Sequence, residues 1–123
     1  MCISKEALSM SSYFIKSTDM KFEDHPIYEG VGIAKLITKE EKQPVGVLML
    51  KIAPGVEIPI HTHDVNADSI FIISGKGLVY VNGKWEEATA GDYILAPATE
   101  EHGVRNHSDE PLMLFIHHNP PLM

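Results

Sequence analysis

One cysteine, Cys2, is all the thiol chemistry available to this chain of 123 residues. It has no partner in the chain, so no internal disulfide framework exists and the reducing cytoplasm is the expected compartment. Cations are scarce as well: 10 Lys and Arg stand against 17 Asp and Glu, for a net charge of −7 with the 7 histidines neutral. That balance argues against a phosphate-tracking nucleic-acid surface and against an anionic-membrane binder. Long apolar runs are missing. Lys5, Glu6, Lys16 and Asp19 interrupt the early ones, so a secretory leader is not expected, and nowhere do about 18 apolar residues succeed one another as a transmembrane helix would need. Repeats, heptads and low-complexity tracts are absent too. A chain of this length is expected to form one domain, burying about two thirds of its unfolded surface around a single core.

No long helical periodicity appears either, and short apolar runs bounded by turn residues take its place. They are Val31 to Thr38, Val45 to Ile52, Glu57 to His63, Ser69 to Ser74, Leu78 to Val81, Lys84 to Ala88, Tyr93 to Ala96, His102 to Asn106 and Leu112 to His117. Nine such runs predict an all-β sandwich or barrel closed around one core. Pro54-Gly55, Gly75-Lys76-Gly77, Ala90-Gly91-Asp92 and Ser108-Asp109-Glu110-Pro111 supply turn chemistry, and Asn82-Gly83 predicts a two-residue hairpin of the primed type. Alternation assigns faces: Leu48, Leu50 and Ile52 share one, Val47, Met49 and Lys51 the other. Met1 to His25, diluted by Ser9, Ser11, Ser12 and Ser17, reads as an arm adding at most a helical turn or an edge strand. The expected division is an arm over 1–25 and a β-barrel domain over 26–123.

Histidines carry the strongest chemical signal. His61 and His63 are separated by one residue on a predicted strand, so the period of two points both to the same face. His102 follows a second glycine-to-proline stretch, and Asp68 lies between the first pair and the glycines 75 and 77. Three imidazoles and a carboxylate form a shell for a divalent transition metal: Zn, Cu, Fe, Ni, Co or, with the carboxylate oxygen, Mn.

Spacing extends this signal. Gly55, five residues, His61-x-His63, four residues, Asp68, six residues and Gly75 make one pattern; Gly91, five residues, Pro97, then His102 and Asn106 make a second. Together they resemble the two signature motifs of the cupin superfamily, over roughly Pro44 to Ile116. The resemblance implies a double-stranded β-helix, a jelly-roll relative, with His61, His63, His102 and the acidic Asp68 as metal ligands, and Gly91 and Pro97 shaping the delivery of His102. Two departures stand out. Asp68 occupies a position where the family usually has Glu, and its oxygen reaches less far by up to about 1.5 Å, one carbon–carbon bond. Either the strand shifts inward, or a water bridges, or three histidines hold the metal alone. Thr99 stands where the second motif usually has Gly, so a positive φ there would be costly.

His117 and His118 close the last strand on opposite faces, His118 with Leu112, Leu114 and Ile116, and His117 with Met113 and Phe115. One of them is the expected catalytic base or substrate contact. Glu57, Tyr93 and Arg105 read as structural, Trp85 and Phe71 as packing residues, and His25 and His107 as turn-side histidines without a signal. Cupins of this size include isomerases, epimerases, lyases and oxygenases, so the resemblance implies a metal-dependent enzyme acting on a small sugar or organic acid. A thiol-dioxygenase is disfavoured because the sole cysteine is Cys2. The alternative is a non-catalytic binding or sensor module using the same pocket. Outward apolar positions, Ile58, Ile60, Phe71 and Ile73, need covering, and a homodimer is expected.

Overall fold

The computed structural model describes residues 12–123, so Cys2 and the first eleven residues of the expected arm lie outside it. The described chain is a two-sheet β-sandwich. Its strands are β1 (Glu23–Asp24), β2 (Val31–Ile37), β3 (Gly46–Ile52), β4 (Glu57–His61), β5 (Ala67–Ser74), β6 (Lys76–Val81), β7 (Lys84–Thr89), β8 (Tyr93–Ala96), β9 (His102–Arg105) and β10 (Leu112–Asn119). One sheet runs β1-β2-β3-β10-β5-β8 and the other β4-β9-β6-β7, with antiparallel neighbours throughout. All nine expected strands are present. The remaining strand, β1, lies within the expected arm and pairs at the sheet edge, Glu23 opposite Ile33 and Asp24 opposite Gly32.

Alternation places the core where the sequence predicts. Leu48, Leu50 and Ile52 of β3 are buried, as are Leu112, Leu114 and Ile116 of β10 and Ile70 and Ile72 of β5. They meet Ile58, Val79 and Val104 from the facing sheet in one cluster. Asn82 and Gly83 both have positive φ, 52° and 80°, the conformation of the primed hairpin turn between β6 and β7. Between β5 and β6 the chain changes sheets at Gly75, with φ 89°, where a Cβ would stand 2.6 Å from the Pro111 carbonyl oxygen. Both the backbone conformation and the close approach require glycine there.

One expected face is corrected. Ile58 is buried in the core, whereas Ile60 is exposed. The cause is an irregularity in the β4–β9 ladder. Ile58 pairs with Val104 and His61 with His102, so three steps along β4 match two along β9. The additional residue resets the inward–outward parity, and Ile58 and His61 both face inward. β4 ends at His61, and His63 lies just beyond the strand on which it was expected.

Candidate metal centre

Each donor arrives by a different device. His61 is re-aimed by the bulge, and the Pro59 carbonyl within it accepts a bond from His61 Nδ1 at 2.7 Å. His102 opens β9, and its Nδ1 donates to the Glu100 carbonyl at 3.0 Å. With Nδ1–H committed to carbonyls, both rings present Nε2 to the interior, the arrangement by which an outer carbonyl fixes a metal-binding tautomer. His63 is tied down through its backbone, because its carbonyl accepts from Thr99 N–H at 2.8 Å. Thr99 occupies a turn closed by Glu100 N–H to the Pro97 carbonyl, with φ 72°. The chain thus adopts the positive φ without the family's usual glycine, at about 1–2 kcal/mol for a side chain bearing Cβ.

Asp68 lies on a strand and is buried. It sits in β5 between β10 and β8, opposite His118 and Ala96, with 4 % of its surface exposed. Its Oδ2 lies 3.1 Å from His102 Nε2 and 3.5 Å from both His63 Nε2 and His118 Nε2. The shorter side chain therefore reaches the cluster. Burial alone would raise its pKa, but hydrogen bonds from His102, His118 and His63 outweigh that and hold the carboxyl far below the usual range. Burial likewise opposes charge on His102, yet the Asp68 hydrogen bond and the Glu100 carbonyl raise its pKa. For His61 burial prevails and its pKa is lowered, the neighbouring His102 and His63 acting in the same direction.

These residues fit a metal ion. One donor atom from each of His61, His63, Asp68 and His102 lies within 4.8 Å of the others. Bonds of about 2.0–2.2 Å to one ion would bring such atoms within roughly 4.4 Å, so the rings need to close by only a few tenths of an ångström. Asp68 Oδ1 is buried without a hydrogen-bond partner among the described residues, an unmet acceptor on the carboxylate whose other oxygen faces the imidazoles.

The cluster opens on a cavity of about 130 Å³. Leu48, Leu50, Ile70, Leu114 and Ile116 give it apolar walls, and Leu122 and Met123 also line it. His118 lines it too, buried, with its Nδ1 lacking a partner among the described residues. His117 is on the opposite face of β10, edge-on to Phe115 at 4.9 Å, and does not line the cavity. The polar residues read as structural are so: Arg105 pairs with Glu57 at 2.6 Å and lies 4.1 Å over Trp85, and Tyr93 bonds Ser69 at 2.6 Å. Asn106 is a staple, its amide bonding the Ile52 and Glu110 carbonyls and its oxygen accepting from Ser108.

Sequence reasoning missed two polar residues of this cavity. His25, dismissed as a turn-side histidine, lines it together with Tyr28, whose ring is 4.8 Å from that of His25 and 6.4 Å from that of His61. Neither carries a local signal, because the β1–β2 turn reaches the cavity only through sheet pairing.

Among curated proteins the chain is 30% identical over 78 residues to an oxalate-binding protein of Thermotoga maritima; the match spans 62% of this chain and 64% of that one, slightly less than two thirds. Solved structures with the same fold include a predicted oxalate decarboxylase from Thermotoga maritima, with TM-score 0.79, 23% identity and coverage of 88% of this chain and 99% of that one. An RmlC-like cupin from Shewanella frigidimarina matches with TM-score 0.76 and 21% identity over 91% and 94% of the two chains. KdgF from a Halomonas species matches with TM-score 0.75 and 18% identity over 89% and 94%. A family model described as the cupin domain matches residues 48–118, which span both histidine motifs and the strands that position them. With the sandwich, the converging histidines and this match in agreement, the chain belongs to the cupin family.

Proposed function

We propose that this cupin holds one divalent transition metal through His61, His63, Asp68 and His102, and that it acts as a metal-dependent enzyme on a small organic acid bound in the adjoining cavity. The observation that carries the reading is the buried Asp68 carboxylate, surrounded by imidazoles and left with one unpartnered oxygen. A bound divalent ion would supply Lewis-acid polarisation of a substrate oxygen. An acid is favoured over a sugar by the small cavity and by the oxalate-binding relative. The mostly apolar walls lower the local polarity, which makes charge interactions count for more there than in bulk water.

His118 is the group proposed to move a proton. It is the cross-strand partner of Asp68, lines the cavity and has a ring nitrogen without a protein partner. His118→Gln is expected to lower turnover at least tenfold while metal content stays at the wild-type level, and His117→Gln should serve as the control. The measurement is a turnover screen across short organic acids and sugars, with metal content by elemental analysis of each variant. Loss of metal in His118→Gln would make this residue a support of the site. A binding or sensor module is the second reading, favoured by the relative's description as a binding protein; tight binding of one acid with no turnover of any would establish it.

The proposed assembly is a homodimer in the cytoplasm. Phe71, Tyr93 and Leu95 are 43%, 57% and 56% exposed on neighbouring strands of the six-stranded sheet, where Phe71 pairs with both Tyr93 and Phe115. A second copy would cover this face and the β8 edge beside it. Light scattering should give twice the chain mass at micromolar concentration, and a monomer there would refute it. The compartment rests on the sequence, in which Cys2 has no cysteine to pair with.

A further inference from the structure

We infer that His25 and Tyr28 form a neutral donor subsite that reads a second oxygen of the ligand, so that the pocket selects short acids carrying an acceptor oxygen on the carbon next to the metal-bound carboxylate. This rests on the metal reading above and deepens it. His25 Nδ1 accepts the backbone N–H groups of Ile27 at 3.1 Å and Tyr28 at 3.2 Å. That double role fixes the neutral tautomer with the proton on Nε2, since a nitrogen that accepts cannot also carry hydrogen. Nε2–H is directed away from the turn and has no hydrogen-bond partner among the described residues, and the Tyr28 hydroxyl likewise has none. Burial and the nearby Lys35 lower the His25 pKa, which keeps the ring neutral.

Three features make this pair a reader of oxygen. Both residues line the cavity of the histidine–aspartate cluster, and the Tyr28 ring is only 6.4 Å from that of His61. The remaining walls are mostly apolar, so two unsatisfied donors weigh heavily in the choice of ligand. No Lys or Arg lines the cavity among the described residues, so beyond the cluster an acid's oxygens would be met by hydrogen bonds and not by an ion pair. The cavity, about 130 Å³, suits a small acid. Oxalate and glycolate have the required second oxygen; acetate does not.

Calorimetric titration of the metal-loaded protein with these three acids tests the inference, using Mn²⁺ or, where Mn²⁺ fails to bind, Zn²⁺. Tyr28→Phe removes only the hydroxyl. His25→Asn removes Nε2–H but leaves a side-chain oxygen able to accept from the turn. Each variant is expected to weaken oxalate and glycolate about five- to tenfold, the worth of one neutral hydrogen bond, with acetate and metal affinities within twofold of wild type. Equal weakening of acetate, unchanged affinities in both variants, or no wild-type preference over acetate would overturn the subsite while leaving the metal reading intact. Failure of the wild type to take up either ion would overturn the metal reading, and the subsite with it.

Discussion

Asp68→Ala is expected to lower the affinity for a divalent transition metal by more than about 100-fold, with His61→Ala and His102→Ala at least as damaging. A residue that merely orients a ligand costs roughly 10- to 100-fold when removed, so the upper end of that range separates direct coordination from support. Asp68 supplies the only negative charge in the proposed donor set, and its Oδ2 already lies 3.1–3.5 Å from three imidazole nitrogens. Asp68→Glu is expected to weaken the site too. The family's longer side chain would help only if Asp68 fell short of a three-histidine site, and the carboxylate of Asp68 reaches the rings as it stands. An added methylene would be forced against buried neighbours. Metal titration of these variants decides the matter: wild-type affinity in Asp68→Ala would remove this residue from the centre.

Chelation is expected to lower the melting temperature by roughly 10 °C, and the loss should grow from pH 5 to pH 8. A ligand at a hundredfold excess over its Kd adds about 2.7 kcal/mol to the folded state, which corresponds to several degrees per kcal/mol in a domain of this size. The pH dependence follows from the shifts. Asp68 is depressed in the folded chain, so its contribution is present above its ordinary value of 3.8 and is lost as pH falls below that. His102 is raised, so its contribution is complete below 6.5 and is lost as pH climbs through its higher folded value. Without metal, the pair therefore contributes most between these limits. His61, lowered, acts in the opposite sense and costs stability below 6.5. Metal needs deprotonated imidazoles and binds better as pH rises, just where the apoprotein loses its His102–Asp68 pairing. Calorimetry on both forms across this range is the check; a gap that narrows toward pH 8 would contradict the assignment.

The nine strands, the primed hairpin and the inward faces of β3 and β10 were legible because each rests on a local rule: turn chemistry at fixed positions, or a side-chain period of two. His61, His63, Asp68 and His102 were legible for a similar reason, as residue types at characteristic spacings from glycines. The parity of the last strand also separated His118 from His117 correctly, although it could not say which side held the cavity.

What local rules could not supply was decided between strands. The bulge at Pro59 reverses the parity of β4, and so buries Ile58 and turns His61 inward; it exists only in the pairing with β9. Asp68 becomes a buried partner of three histidines because β5 lies between β10 and β8, a neighbourhood absent from its own stretch of chain. His25 and Tyr28 enter the cavity because β1 pairs with β2 and carries the turn between them to the site. Sequence by itself determined the cupin architecture and the residues of the candidate metal centre, since alternation and motif spacing are written along the chain. Tertiary structure alone decided which side chains share the pocket with that group, because register and bulges arise from contacts between strands far apart in sequence.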